Sequence, residues 1–188
     1  MIGALLFAAN VHCATSGAVK ACKTFGDEQA GRTLRITRAG KLLYQRNEPD
    51  SMMLDDIDVQ QRDLDGDGAK EIVAADVLTV SNGMGVTVWT LVIIDGRTNK
   101  ATTLQVEDYG PGSVRKDGVL ETSWEWIDGH LYFIARPYKY EHGALVKQKT
   151  MWQRRYLFSF QRERGKGGPA QWLKKATKVP WRSRDPLQ

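Results

Sequence analysis

The chain has 188 residues, 41% of them apolar and 26% charged, with a formal net charge of +5 and a pI near 9.2. This length and composition suit one domain, or at most two small ones, and exclude a disordered chain or a bundle of membrane helices. Two cysteines are too few for a disulfide scaffold or a Cys-ligated zinc site.

Residues 2–11 form an apolar segment that is too short to span a bilayer. Ser16-Gly17-Ala18 follows with the small-x-small pattern of a signal cleavage site, so residues 1–18 read as a secretory signal, although a basic n-region is missing. The alternative is a buried N-terminal strand or helix. Cleavage after Ala18 leaves Cys22 unpaired, whereas retention of the segment permits a Cys13–Cys22 disulfide.

Residues 32–46 alternate apolar and polar on both sides of Ala39-Gly40 and predict a β-hairpin. After a loop at Glu48-Pro49-Asp50-Ser51, the alternating run 57–60 predicts a strand that leads into Asp63-Leu64-Asp65-Gly66-Asp67-Gly68-Ala69-Lys70-Glu71. Carboxylates stand at positions one, three, five and nine of that loop, and glycines at four and six. A hard cation such as Ca²⁺ takes about six to eight oxygens, which a short loop supplies only by turning tightly on itself. Gly68 allows the positive φ of such a turn. The expected ligands are the side chains of Asp63, Asp65, Asp67 and Glu71 and the backbone carbonyl of Ala69. Without a cation, three closely spaced aspartates repel one another. Mg²⁺ fits less well because it retains its waters.

An EF-hand is excluded, since position twelve is Ala74 instead of Glu and the flanks read as strands. An Asp-rich loop between two strands, followed at once by Glu71-Ile72-Val73, resembles the FG-GAP/VCBS type of repeat. This is the calcium-bearing blade motif of integrin α-chain propellers and of many bacterial exported proteins. The matching residues are Asp63, Asp65, Asp67, Gly68, Glu71, Ile72 and Val73, within about residues 56–80 of this chain. The family usually has Asp where this chain has the longer Glu71. The calcium loop favours export independently, because extracellular calcium fills weak sites with Kd of about 10⁻⁴–10⁻³ M.

Residues 81–85 read as a Gly-rich connection. The run 86–94 is the strongest strand, apolar on both faces towards its end, and is expected in the centre of a sheet. Asp95-Gly96 turns the chain, 102–106 is a strand and 108–113 a loop. Asp117-Gly118, Asp128-Gly129 and His142-Gly143 then separate further strands, the last a long one ending at 156–160. Turn dipeptides about ten to fifteen residues apart indicate an antiparallel meander. The expected fold is mainly β, about eight to ten strands in a sandwich, open barrel or partial propeller. A complete propeller needs at least about four blades of forty or more residues and does not fit this length. The β domain is assigned to residues 19–168.

Residues 169–188 read as an irregular, basic, Trp-containing tail. Residues 147–188 hold twelve Lys/Arg and two Asp/Glu, whereas the acidic residues concentrate around the metal loop. With Trp172 and Trp181, this end is a candidate contact for a polyanion or an anionic membrane surface, against the plainer account of a solvated tail packing its tryptophans on the sheet. No specific nucleic-acid motif is present.

Little suggests catalysis. His130 and His142 flank hairpin turns, and no nucleophile elbow, zincin motif, phosphate loop or thiol dyad occurs. In Trp124-Glu125-Trp126, strand alternation puts Glu125 on the face opposite both tryptophans, and glycoside hydrolysis needs paired carboxylates. The expected function is that of an exported, calcium-stabilised, non-enzymatic module that binds a protein or glycan ligand. The alternatives are a glycan-processing or other hydrolase and an anionic-surface binder acting through the tail.

Overall fold

The computed structural model describes residues 10–25, 31–48, 54–80, 87–110, 112–127 and 130–155, with backbone alone at 124–127, 130–133 and 152–155. The basic tail, the 81–85 connection, residues 1–9 and the side chains of Trp124, Glu125 and Trp126 lie outside this description. Thirteen strands and no helix occur among the described residues.

The strands form two antiparallel sheets. The first is a meander of β1 (Val11–Ser16), β2 (Val19–Phe25), β3 (Arg32–Arg38) and β4 (Lys41–Glu48), in that order. The second contains β5 (Ile57–Arg62), β6 (Glu71–Val80), β7 (Thr87–Ile94), β8 (Ala101–Glu107), β9 (Val114–Arg115), β10 (Gly118–Ile127), β11 (His130–Glu141), β12 (Ala144–Lys147) and β13 (Met151–Arg155). Its order is β12-β11-β10-β8-β7-β6-β5, with β13 also on β11 and β9 on β10.

Both sheets follow local sequence rules. Ala39 and Gly40 have φ of 48° and 81°, the two left-handed residues of a turn that matches the twist of a hairpin. His142 and Gly143 repeat this pattern between β11 and β12. β7 is paired on both sides, as its apolar character predicts. Its neighbour β6 is also buried, from Glu71 to Val77, because both strands divide their side chains between two cores. Ile72, Ala74, Val92 and Ile94 face the first sheet, where they meet Val19, Ala21, Leu34 and Ile36. Val73, Ala75, Leu91 and Ile93 face the other way, towards Leu64, Val106, Val114, Val119 and Tyr140. The first contact makes a sandwich. The second arises because β10 pairs with β8 at a single position, Thr122↔Glu107, so the second sheet curls over its own core without closing into a barrel among the described residues.

The long final strand expected from the sequence is divided into β12 and β13. β12 pairs Lys147 with Tyr138, and β13 pairs Met151 with Ala135, so three residues (148–150) oppose two (136 and 137). Pro137 accepts a hydrogen bond from Gln148 N (2.7 Å) but has no N–H to return, which interrupts the ladder.

β1 and Cys13 lie inside the 1–18 span that reads as a signal. Cys13 stands directly opposite Cys22 and forms a disulfide with it. Removal of residues 1–18 would take away β1 and half of this bond.

The interface between the sheets also buries charge. Lys23 and Asp76 are fully buried, with Lys23 Nζ 2.6 Å from Asp76 Oδ1. The same ammonium donates to the carbonyls of Leu54 (2.8 Å) and Asp56 (2.7 Å). Arg46 Nη2 reaches Asp76 Oδ2 at 2.7 Å, while Arg32 pairs with Glu48 and donates to the Val77 carbonyl.

Candidate metal centre

The acidic loop spans 63–70 and joins two directly paired residues, Arg62 and Glu71. Its backbone turns at Gly66 and Gly68, which have φ of 78° and 86°. Asp63 accepts hydrogen bonds from Gly66 N (2.7 Å) and Gly68 N (3.0 Å). Asp65 accepts from Asp67 N, and Asp67 Oδ1 from Ala69 N. Each aspartate thus shapes the turn that follows it, as Asx side chains do.

Two features fix the loop to the body. Leu64 inserts into the second core and is 2% exposed. Beneath it lies Glu71, 1% exposed, whose Oε2 accepts from Leu64 N at 2.7 Å and whose Oε1 accepts a longer bond, 3.4 Å, from Gly96 N. Burial pushes the Glu71 carboxyl above its ordinary range, against the lowering effect of these N–H groups.

The β7–β8 turn packs onto the loop from the side. A Cβ on Gly96 would lie 2.7 Å from the Lys70 carbonyl oxygen, so glycine permits this approach. Asp95 holds the turn by accepting from Arg97 N, Thr98 N and Thr98 Oγ1, and the Tyr140 hydroxyl donates to its other oxygen. The Thr98 N–H is the main influence keeping the Asp95 carboxyl below its usual value. From this turn Arg97 clamps Asp67, with Nε 2.5 Å from Oδ2 and Nη2 2.6 Å from the Asp67 carbonyl.

Carboxylate oxygens of Asp63, Asp65 and Glu71 lie within 4.8 Å of one another. Two oxygens bound to one Ca²⁺ at about 2.3–2.6 Å are at most about 5 Å apart, so these residues fit such an ion. An all-carboxylate donor set suits a hard cation and not a thiophilic one. Three of the four predicted side chains therefore converge, and Glu71 is among them. Asp67 is turned towards Arg97. Ala69 donates its N–H to Asp67 Oδ1. Asp63, Asp65 and Asp67 also line an open cleft of roughly 970 Å³ that is rimmed by Lys116, Lys139 and His142.

Leu64, Gly96, Arg97 and Tyr140 have no metal-site signature in the sequence. Asp95-Gly96 read there only as a turn, and nothing in its composition pointed to a loop thirty residues earlier.

The Arg97 clamp predicts a measurable competition. Arg97 is 63% exposed, and a surface ion pair is worth up to about 1 kcal/mol, or about fivefold in affinity. Arg97→Gln releases Asp67 and removes a repelling charge, so terbium luminescence titration is expected to show about two- to fivefold tighter cation binding. Weaker binding would mean that Arg97 holds the loop in its binding shape.

Comparison with models of known protein families, with curated proteins and with solved structures finds no match in any of the three.

Proposed function

We propose that the 63–71 loop binds one Ca²⁺ through Asp63, Asp65 and Glu71, completed by Asp67 and the Ala69 carbonyl, and that the ion is structural. The protein is then a non-catalytic, calcium-stabilised binding module. The carrying observation is the convergence of three carboxylates within 4.8 Å, one of them buried beneath the loop. Bound calcium neutralises these charges and fastens the loop, which joins β5 to β6 and touches the β7–β8 turn. Export belongs to the same proposal. The Cys13–Cys22 bond supports it, since disulfides persist in oxidising compartments.

Thermal melts test calcium binding. A ligand at about one hundred times its Kd stabilises the folded state by about 2.7 kcal/mol. For a chain of this size that is about 5–10 °C in melting temperature. Melts in millimolar calcium and in excess chelator are expected to differ by that amount, and Asp65→Ala to remove the difference. Coincident melts, with no heat in calorimetric titration, would exclude calcium binding.

A further inference from the structure

A second cleft lies on the outer strand of the second sheet, on the face turned away from the first. Along β5, Val59 enters the interface between the sheets, and alternation sends Asp58, Gln60 and Arg62 to the opposite face. There they line a cleft of roughly 230 Å³ with Tyr109, Gly110, Gly112 and Val114. Tyr109 fixes its floor: the hydroxyl donates to Asp58 Oδ2 at 2.6 Å and accepts from Gln60 Nε2 at 2.9 Å. The Tyr109 ring is in turn held against Trp89, with centroids 5.2 Å apart.

Most of the hydrogen-bonding capacity of this face remains open among the described residues. Asp58 bonds through one oxygen only, Gln60 through one amide hydrogen only, and Arg62 makes a single long bond, 3.5 Å, to the Val114 carbonyl. A carboxylate acceptor, an amide that both donates and accepts, and a guanidinium with four free N–H groups therefore stand in a row. Such a row complements a ligand whose groups both donate and accept, which is the chemistry of hydroxyls. Asp58 and Arg62 cancel in charge, which favours a neutral ligand. Same-face neighbours on a strand are about 6.6 Å apart, so these two lie about 13 Å apart along the backbone. The cleft is comparable in size to one sugar ring.

We propose that this cleft binds a single ring of a neutral sugar, its hydroxyls shared among Asp58, Gln60 and Arg62, with Tyr109 holding the first two in place. This extends the binding-module proposal by naming a ligand class, and it does not use the cation.

Saturation-transfer NMR on the full chain tests it with the methyl glycosides of glucose, galactose and mannose, together with glucuronate and alanine. Saturation is expected to reach at least one neutral glycoside. Asp58→Ala and Arg62→Ala are expected to weaken that binding at least tenfold. Tyr109→Phe, which keeps the ring and loses the bridge, is expected to weaken it several-fold, with melts of each variant reporting on folding. The two proposals are told apart by their readouts: saturation transfer reports on this cleft, and the calcium-dependent melting shift reports on the 63–71 loop. The proposal is overturned by transfer to no neutral glycoside, by transfer to glucuronate or alanine alone, or by undiminished transfer in folded Asp58→Ala and Arg62→Ala.

Discussion

Asp76→Ala is expected to lower stability by about 3–5 kcal/mol, the usual effect of removing one partner from a buried ion pair. For a chain of this size that means about 6–20 °C in melting temperature. The loss is large because Asp76 is fully buried and meets Lys23 and Arg46 at once. Its removal leaves the Lys23 ammonium in the interior with only carbonyl partners. Lys23→Met is expected to be milder, since Asp76 retains Arg46 and Arg32. The pH dependence separates charge from packing. Burial holds the Lys23 ammonium below the ordinary lysine value, and Asp76 is the chief opposing influence. The folded value is then the lower one, so the unfolded chain keeps its proton longer as pH rises, and stability climbs with pH between the two values. Without Asp76 that window widens, and Asp76→Ala is expected to regain part of its loss in alkaline buffer. Denaturant melts across alkaline pH read this, and a loss independent of pH would assign the effect to packing.

Glu71→Ala is expected to destabilise even in excess chelator, by about 2–4 kcal/mol, because it orphans donors buried under the loop. Leu64 N and Gly96 N both bond to this carboxylate, one at each oxygen. Glu71→Gln keeps one acceptor but turns an NH₂ towards the other donor, so it is expected to recover little. Asp65→Ala, which bonds only the N–H of Asp67 among the described residues, is expected to lose the calcium shift while keeping its chelator-state melting temperature within a few degrees. In the metal-free protein the raised Glu71 carboxyl keeps a proton that the unfolded chain has already lost, so stability is expected to fall as pH rises from the ordinary glutamate value to the folded one. If calcium binds the carboxylate as proposed, it is expected to abolish that fall. Melts at three pH values with and without calcium check both statements.

The contrast between Asp65 and Glu71 marks what was legible beforehand. The DxDxDG pattern identifies the loop because a cation needs oxygens at fixed short spacings, and such spacings are local. The pattern treats the ninth residue as one more ligand. Only the fold reveals Glu71 as a support under the loop, because its donors come from Leu64, seven residues earlier, and Gly96, twenty-five residues later. Asp67 shows the reverse. Its spacing marks it as a ligand, and an arginine thirty residues away takes its carboxylate.

Strand content, antiparallel pairing and the hairpins at 39–40 and 142–143 follow from the sequence alone, because alternation and left-handed turn residues act over a few positions. The central place of β7 follows from its apolar run. The division of the chain into two sheets, the curl of the second over its own core and the buried Lys23–Asp76 pair were decided by tertiary packing. Asp76 sits within the run Glu71–Val80, and nothing local distinguishes a polar residue at a strand face from one that meets a lysine fifty-three positions away. Periodicity records that a face is buried. Which sheet covers it depends on contacts between residues far apart in the chain, and these exist only once the chain has folded.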